Sequence, residues 1–144
     1  MDARARFDTR MILRLSAQHL WFLREEAKRV HPVEACALLF GGLTDREAIV
    51  TRVVVMPNIL RSTVRFEIDP QAFYKAFMQA RKDGMEFVGF FHSHPALARP
   101  SAVDLRYMRL WGDAVWLVLS QTDGGMGAFR MRTGRVEELT IKVE

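Results

Sequence analysis

Two histidines separated by a single residue, His92 and His94, are the strongest chemical signal in the sequence. They follow the apolar run 88–91, which predicts a buried strand ending at the pair. Side chains at positions i and i+2 of an extended chain point the same way, about 6.6 Å apart at the backbone. A zinc ion held at about 2.0–2.1 Å from each imidazole nitrogen can bridge that span. The pair therefore predicts part of a metal site at a strand end.

A hydroxyl and a carboxylate follow one short loop later, at Ser101 and Asp104. Ser101 is a favoured helix N-cap, and apolar residues recur after it at helical spacing, so Asp104 falls in the first turn of a predicted helix. Two imidazoles and one carboxylate leave the fourth position of a tetrahedral zinc open to water, as in catalytic sites. Taken without the histidines, Ser101 and Asp104 are better explained as a capping motif alone.

A hydrolytic metal site also needs a general base within hydrogen-bond reach of the water. Glu34 opens the apolar run 35–40, which predicts a central strand where a bare carboxylate is costly. Glu67 is the alternative base. Glu86 shares strand parity with His92 but lies about 20 Å away along the strand, too far to reach the metal. The residues alone favour Glu34 and leave Glu67 open.

Four separated segments together resemble the JAMM family of metalloproteases, also called the MPN+ or JAB family. The segments occur in family order, and the resemblance extends from about residue 13 to residue 119. The chain lacks a long insertion after Asp104 and is similar to the minimal core of prokaryotic members. The four segments are Pro32-Val33-Glu34, Phe66-Glu67-Ile68-Asp69-Pro70, His92-Ser93-His94-Pro95 and Ser101-x-x-Asp104.

The resemblance implies that His92, His94 and Asp104 bind zinc. It also implies that Glu34 deprotonates the water and that Ser101 helps to stabilise the oxyanion on the attacked carbonyl. The implied fold is α/β, with a mixed sheet sandwiched by helices as in JAB/MPN and cytidine-deaminase-like proteins. The loop 95–100 is one residue shorter than the usual family spacing, so it must be tighter.

The activity implied by the resemblance is that of a zinc-dependent isopeptidase or peptidase. Its substrate would be a ubiquitin-like or sulfur-carrier protein, cleaved after the C-terminal tail, with an exposed strand edge near 61–66 expected to pair with that tail. The alternative is a non-catalytic scaffold or interaction module on the same fold. Retention of all five motif residues favours the enzyme. A deaminase is disfavoured because its zinc site needs Pro-Cys-x-x-Cys, and Cys36 is the single cysteine.

Composition agrees with one domain over residues 1–144, with 49% hydrophobic residues. No apolar run approaches the ~20 residues of a membrane span, and residues 1–10 contain no leader-like apolar segment, so we expect a cytoplasmic protein. The net charge is +4, but no nucleic-acid motif accompanies it and acidic residues interrupt the arginines near the N-terminus, so no nucleic-acid partner is predicted. The oligomeric state is not predictable from the sequence.

The remaining pattern predicts the elements around the site. Ser16 is expected to cap a helix that ends near His31-Pro32, and Asp69-Pro70 is expected to begin a second helix that Asp83-Gly84 ends. Besides the strand before the histidines, the predicted strands are 34–41, 48–56, 114–120, 127–132 and 136–143.

Overall fold

A computed structural model describes residues 10–144 of the chain; residues 1–9, with Arg4 and Arg6 of the N-terminal arginines, lie outside the described residues. The elements in chain order are β1 (Ile12–Leu15), α1 (Ala17–Val30), β2 (Cys36–Leu43), β3 (Glu47–Met56), α2 (Pro70–Lys82), β4 (Glu86–His94), α3 (Ala102–Leu110), β5 (Val115–Ser120), β6 (Met126–Arg132) and β7 (Arg135–Val143).

The strands form one mixed sheet in the order β1-β3-β2-β4-β5-β6-β7. The sheet is closed, because β1 pairs in parallel with both β3 and β7. The predicted mixed sheet and helices are therefore present, but the sheet is closed, so the predicted sandwich is not confirmed. The difference comes from β1, a strand of only four residues that the sequence pattern did not predict. Its partners lie far along the chain, so no local signal marks it.

Two apolar clusters lie on the two faces of the sheet. Alternate residues of β2 enter them, Ala37 and Leu39 on one face and Leu38 and Phe40 on the other. This alternation follows from the two-residue period of a strand. α1 packs into the first cluster, whereas α2 and α3 pack into the second. A strand buried on both faces explains why β2 reads as a continuous apolar run.

The helices begin at the capping residues that the sequence predicts. The Ser16 hydroxyl accepts a hydrogen bond from the His19 amide at 2.9 Å, and the Asp69 carboxylate accepts one from the Ala72 amide at 3.0 Å. Each bond satisfies an amide that the first helical turn leaves unpaired. Gly84 follows α2 with a φ of 79°, a conformation that glycine adopts without strain. None of the helices in residues 10–144 is long and apolar enough to cross a membrane.

The central position of β4 determines where the site forms. β4 lies between β2 and β5, antiparallel to the first and parallel to the second. His92 pairs with Cys36 on one side and with Val118 on the other. The histidine end of β4 therefore lies beside the start of β2 and the end of β5, and α3 follows after one loop.

Candidate metal centre

His92 and Asp104 are in direct contact inside the protein. The His92 imidazole is fully buried and Asp104 is 3% exposed. His92 Nε2 lies 3.0 Å from Asp104 Oδ2, and no hydrogen-bond partner reaches His92 Nδ1 among the described residues. The strand end and the first turn of α3 thus place an imidazole nitrogen beside a carboxylate oxygen, as the sequence spacing predicts.

Asp104 is fixed by a capping box at the start of α3. Its backbone amide donates to the Ser101 hydroxyl at 3.1 Å, and its carboxylate accepts from the Ser101 amide at 2.8 Å. Burial opposes ionisation of Asp104, but the hydrogen bond and charge of His92 and the two Ser101 hydrogen bonds outweigh it, so the pKa of Asp104 is lowered. The buried carboxylate therefore remains ionised, as a metal ligand must.

His94 lies beside His92 with its ring nearly perpendicular, at 87° and a centroid separation of 5.9 Å. Its Nδ1 is 3.2 Å from the carbonyl oxygen of Leu97. Because a carbonyl only accepts, this contact assigns the proton to Nδ1 and leaves the lone pair on Nε2. A backbone carbonyl that fixes the tautomer in this way is the usual support of a metal-binding imidazole.

The short loop 95–100 folds closely over β6. The Leu97 carbonyl accepts the hydrogen bond from His94 Nδ1 and a second one from the Arg99 amide at 2.8 Å. A Cβ atom added to Gly127 would lie 2.6 Å from the Ala98 carbonyl oxygen, far inside van der Waals contact. Glycine at this position therefore permits the tight path that the shortened loop requires.

Glu34 is completely buried, and neither of its carboxylate oxygens has a hydrogen-bond partner among the described residues. Burial raises its pKa to about 7, against a lowering by His92 and with a smaller raising by Asp104. These charge effects place Glu34 in the same electrostatic environment as the histidine and the aspartate. A carboxyl group with a pKa near neutrality suits proton transfer in either direction.

The backbone around Glu34 differs from the predicted strand 34–41, because β2 begins only at Cys36. Ala35 is held by Ser93, whose amide donates to the Ala35 carbonyl at 3.0 Å and whose hydroxyl accepts from the Ala35 amide at 2.7 Å. The residue between the two histidines thus connects their strand to the glutamate segment. Glu67, the alternative base, is exposed.

Two residues near the site, Phe66 and Asn58, were not predicted to contact it. Phe66 stacks on the His92 ring, with centroids 4.9 Å apart at 29°. Asn58 hydrogen-bonds the backbone of Glu34 and of the loop that follows β3. That loop has no strand structure, so the predicted strand edge at 61–66 was wrong. Both contacts join residues far apart in sequence, although Pro57-Asn58 is a recognisable turn signal.

An aromatic cavity of about 290 Å³ opens next to His92. Phe66 and Trp116, which contact the His92 ring, form part of its wall. Cys36, opposite His92 in the sheet, does not add a reactive group, because burial raises the pKa of its thiol to about 12. The cavity is lined by Phe66, Glu67, Ile68, Pro70, Phe73, Phe90, Tyr107, Trp111 and Trp116.

The residues fit a divalent metal in their chemistry and in part of their geometry. Ligand atoms of a tetrahedral zinc are separated by about 3.3 Å, and His92 Nε2 and Asp104 Oδ2 are 3.0 Å apart. The unpaired Glu34 oxygens are buried polar atoms that lack the partner they require. As the side chains lie, no three His, Cys, Asp or Glu groups within residues 10–144 converge closely enough to hold a metal. His94 lies next to the His92–Asp104 pair but is not close enough to form a set of three metal ligands with it.

Comparison with known families identifies the class of protein. Residues 16–133 match the family described as prokaryotic homologs of the JAB domain, and the chain belongs to this family. The resemblance to JAMM proteins noted in the sequence is thereby confirmed.

Individual relatives share most of the chain. A desampylase from Pyrococcus furiosus is 35% identical over 113 residues, covering 78% of this chain and 77% of that protein. A probable TtuB-protein conjugate cleaving protease from Thermus thermophilus is 30% identical over 118 residues, covering 81% of this chain and 77% of that protein. The solution structure of protein DSY2949 from Desulfitobacterium hafniense superposes with a TM-score of 0.81 at 30% identity, covering 93% of each chain. The fold is thus that of a JAB domain.

Proposed function

We propose that this JAB domain is a zinc-dependent isopeptidase that releases a ubiquitin-like or sulfur-carrier protein from its conjugates. The observation that carries the proposal is the fully buried, unpaired Glu34 carboxylate beside the His92–Asp104 pair. A scaffold gains nothing from such a group, because burying an unpaired carboxyl destabilises the fold. The presence of this buried carboxyl group therefore favours a catalytic role over a scaffold role.

In this proposal His92, His94 and Asp104 hold the metal. Zinc, when bound there, would polarise the scissile carbonyl and acidify a water molecule. The Asp104 carboxylate is ionised and fixed by the Ser101 backbone amide, and His94 presents Nε2 because its Nδ1 donates to Leu97. The chain therefore supplies two of the three ligands with defined protonation states.

Glu34 would act as the general base and then as the general acid. It accepts a proton from the attacking water and returns it to the departing amine. In the metal-free chain burial raises the pKa of this carboxyl to about 7, so both its ionised and its protonated forms are accessible near neutral pH. Its burial excludes bulk water, which would otherwise compete for the proton.

Ser101 would stabilise the oxyanion formed on the attacked carbonyl. In the capping box its hydroxyl oxygen accepts from the Asp104 amide. A hydroxyl carries one donor and two acceptor sites, so accepting from the Asp104 amide leaves its own proton to donate, to the Asp104 carboxylate in the free protein and to the oxyanion in the reaction. The helix start fixes the position of the hydroxyl oxygen before substrate arrives.

The substrate class is supported by the relatives, one named a desampylase and another a TtuB-protein conjugate cleaving protease. A C-terminal tail must lie extended to reach a site at a strand end. The aromatic cavity beside His92 offers an apolar wall of suitable size for one tail side chain. The proposal includes a cytoplasmic location, where reduced thiols such as Cys36 are normal.

The deciding experiment measures metal content and cleavage together. Protein purified without added zinc is assayed for bound metal and for cleavage of a ubiquitin-like fusion, with and without chelator. We expect one zinc per chain, cleavage that chelator abolishes, loss of cleavage with retained zinc in Glu34→Gln, and loss of both in His94→Ala. A wild type without zinc and without cleavage would favour the scaffold alternative, and an active Glu34→Gln would refute the assignment of the base.

A further inference from the structure

Asn58, which the proposed mechanism does not use, is the most highly connected polar side chain near the site. Its amide nitrogen lies within hydrogen-bond distance of the carbonyl oxygens of Glu34 at 3.1 Å, Ser62 at 3.4 Å and Arg65 at 3.0 Å. Its amide oxygen accepts from the backbone amides of Leu60 at 3.1 Å and Glu67 at 3.2 Å. Both hydrogens and both lone pairs of the side chain are therefore occupied.

The first effect of this network is on the backbone of Glu34. Glu34 precedes β2 and has no partner of its own in the ladder of the sheet. Its amide donates instead to the Ser62 carbonyl at 2.9 Å, and its carbonyl accepts from Asn58. Both main-chain groups of Glu34 thus depend on a loop that Asn58 holds in shape.

The second effect is on the ring that covers His92. Asn58 binds the carbonyl of Arg65 and the amide of Glu67, the two neighbours of Phe66. The Phe66 ring stacks on His92 at 4.9 Å. The Asn58 side chain therefore holds both the backbone of Glu34 and the residues on either side of Phe66, whose ring stacks on His92.

We infer that Asn58 is a positioning residue, which sets the placement of Glu34 relative to His92 without touching the reacting atoms. This inference rests on the proposed function of Glu34 as the base. An error of about 1 Å in the placement of such a group can reduce the rate by about 100-fold. Asn58 makes no hydrogen bond to His92, His94 or Asp104, so its loss should leave zinc binding intact.

Two variants separate the halves of the network. Asn58→Asp keeps the acceptor oxygen for Leu60 and Glu67 but replaces the donor, so an oxygen faces the three carbonyls. Asn58→Ala removes both halves and serves if the aspartate variant does not fold. The matched control is Ser62→Ala, which deletes the Ser62 hydroxyl bond to the Val64 amide, 3.1 Å long, and leaves the Glu34 contacts in place.

The zinc-loaded enzyme is assayed for kcat, KM and metal content, and backbone amide exchange is followed by NMR. For Asn58→Asp we expect kcat to fall about 100-fold with KM and zinc unchanged, as for a misplaced catalytic group. We expect the Glu34 amide to exchange faster while the Leu60 and Glu67 amides stay protected. Ser62→Ala should keep the wild-type kcat.

Three results would overturn the inference. They are an unchanged kcat, a raised KM with unchanged kcat, and a Ser62→Ala variant as slow as Asn58→Asp. The exchange measurement does not depend on activity, so unchanged Glu34 exchange in Asn58→Asp also overturns it. A wild type that cleaves nothing would refute the proposed function alone, because exchange still reports whether Asn58 fixes Glu34.

Discussion

The burial of Glu34 makes a quantitative prediction about stability and pH in the metal-free protein. The carboxyl titrates at 4.5 in its ordinary environment and at about 7 in the folded chain. Between those values the folded state binds more protons than the unfolded state, so stability falls as the pH rises. From the two pKa values, the titration of this one group should lower the free energy of unfolding by about 2–3 kcal/mol between about pH 5 and about pH 8.

Replacing Glu34 with glutamine removes this titration and keeps the size of the side chain. We expect the free energy of unfolding of Glu34→Gln, relative to wild type, to rise by about 2–3 kcal/mol from about pH 5 to about pH 8. Urea unfolding of both proteins with excess chelator measures the difference, and titrations shared by the two proteins cancel. Absence of metal matters, because a nearby cation would favour the ionised carboxylate.

A matched control is Glu67→Gln, which alters an exposed glutamate in the loop next to the site. It shows how the same change of side chain affects stability at an exposed position. If the stability of Glu34→Gln relative to wild type does not rise above that of this control between about pH 5 and about pH 8, Glu34 is not a desolvated carboxyl in solution. The argument for its role as a proton carrier near neutral pH would then fail as well.

Further predictions concern the other parts of the site. Ser101→Ala should lower the free energy of unfolding by about 1 kcal/mol through loss of the N-cap, and lower kcat by about 100-fold through loss of the oxyanion donor. Urea unfolding measures the first effect and steady-state kinetics the second. An unchanged kcat would remove Ser101 from the mechanism. The pKa of Asp104 is lowered from 3.8, so its ionised form stabilises the fold above that value and this contribution is lost as the pH falls through the lower folded pKa. Asp104→Asn should therefore flatten acid unfolding in this range and abolish zinc binding, and wild-type acid sensitivity in the variant would contradict an ionised, buried Asp104. Gly127→Ala should destabilise the protein by about 1–3 kcal/mol by crowding the Phe129 ring and the Ala98 carbonyl, and weaken zinc binding where the second contact displaces loop 95–100. Gly42→Ala is the control, because an added Cβ there meets nothing within 4 Å; equal melting temperatures for the two variants would count against a crowded loop.

The sequence was most informative where a residue acts on its own neighbours. Ser16, Asp69 and Ser101 cap the helices that they were expected to cap, because a cap bonds an amide only three residues away. The histidine pair likewise lies at the end of β4, because an apolar run followed by polar residues marks a strand end locally. The family order of the motif segments then identified the JAB class, which residues 16–133 confirm.

Tertiary structure decided the features that depend on distant partners. β1 closes the sheet through pairings with β3 and β7, and four residues carry too short a pattern to reveal this. The 57–69 loop contains no strand, because its backbone groups are bonded by Asn58 rather than by a neighbouring strand. The strand edge expected near 61–66 is therefore absent.

The choice between Glu34 and Glu67 shows the same division. The sequence favours Glu34, which opens an apolar run, but leaves Glu67 open as the alternative base. Folding buries Glu34 completely and leaves Glu67 in solvent, and this burial raises the pKa of Glu34. The sequence determined which chemical groups are available; the tertiary structure decided which of them is desolvated, because burial is a property of the surroundings that the whole chain assembles.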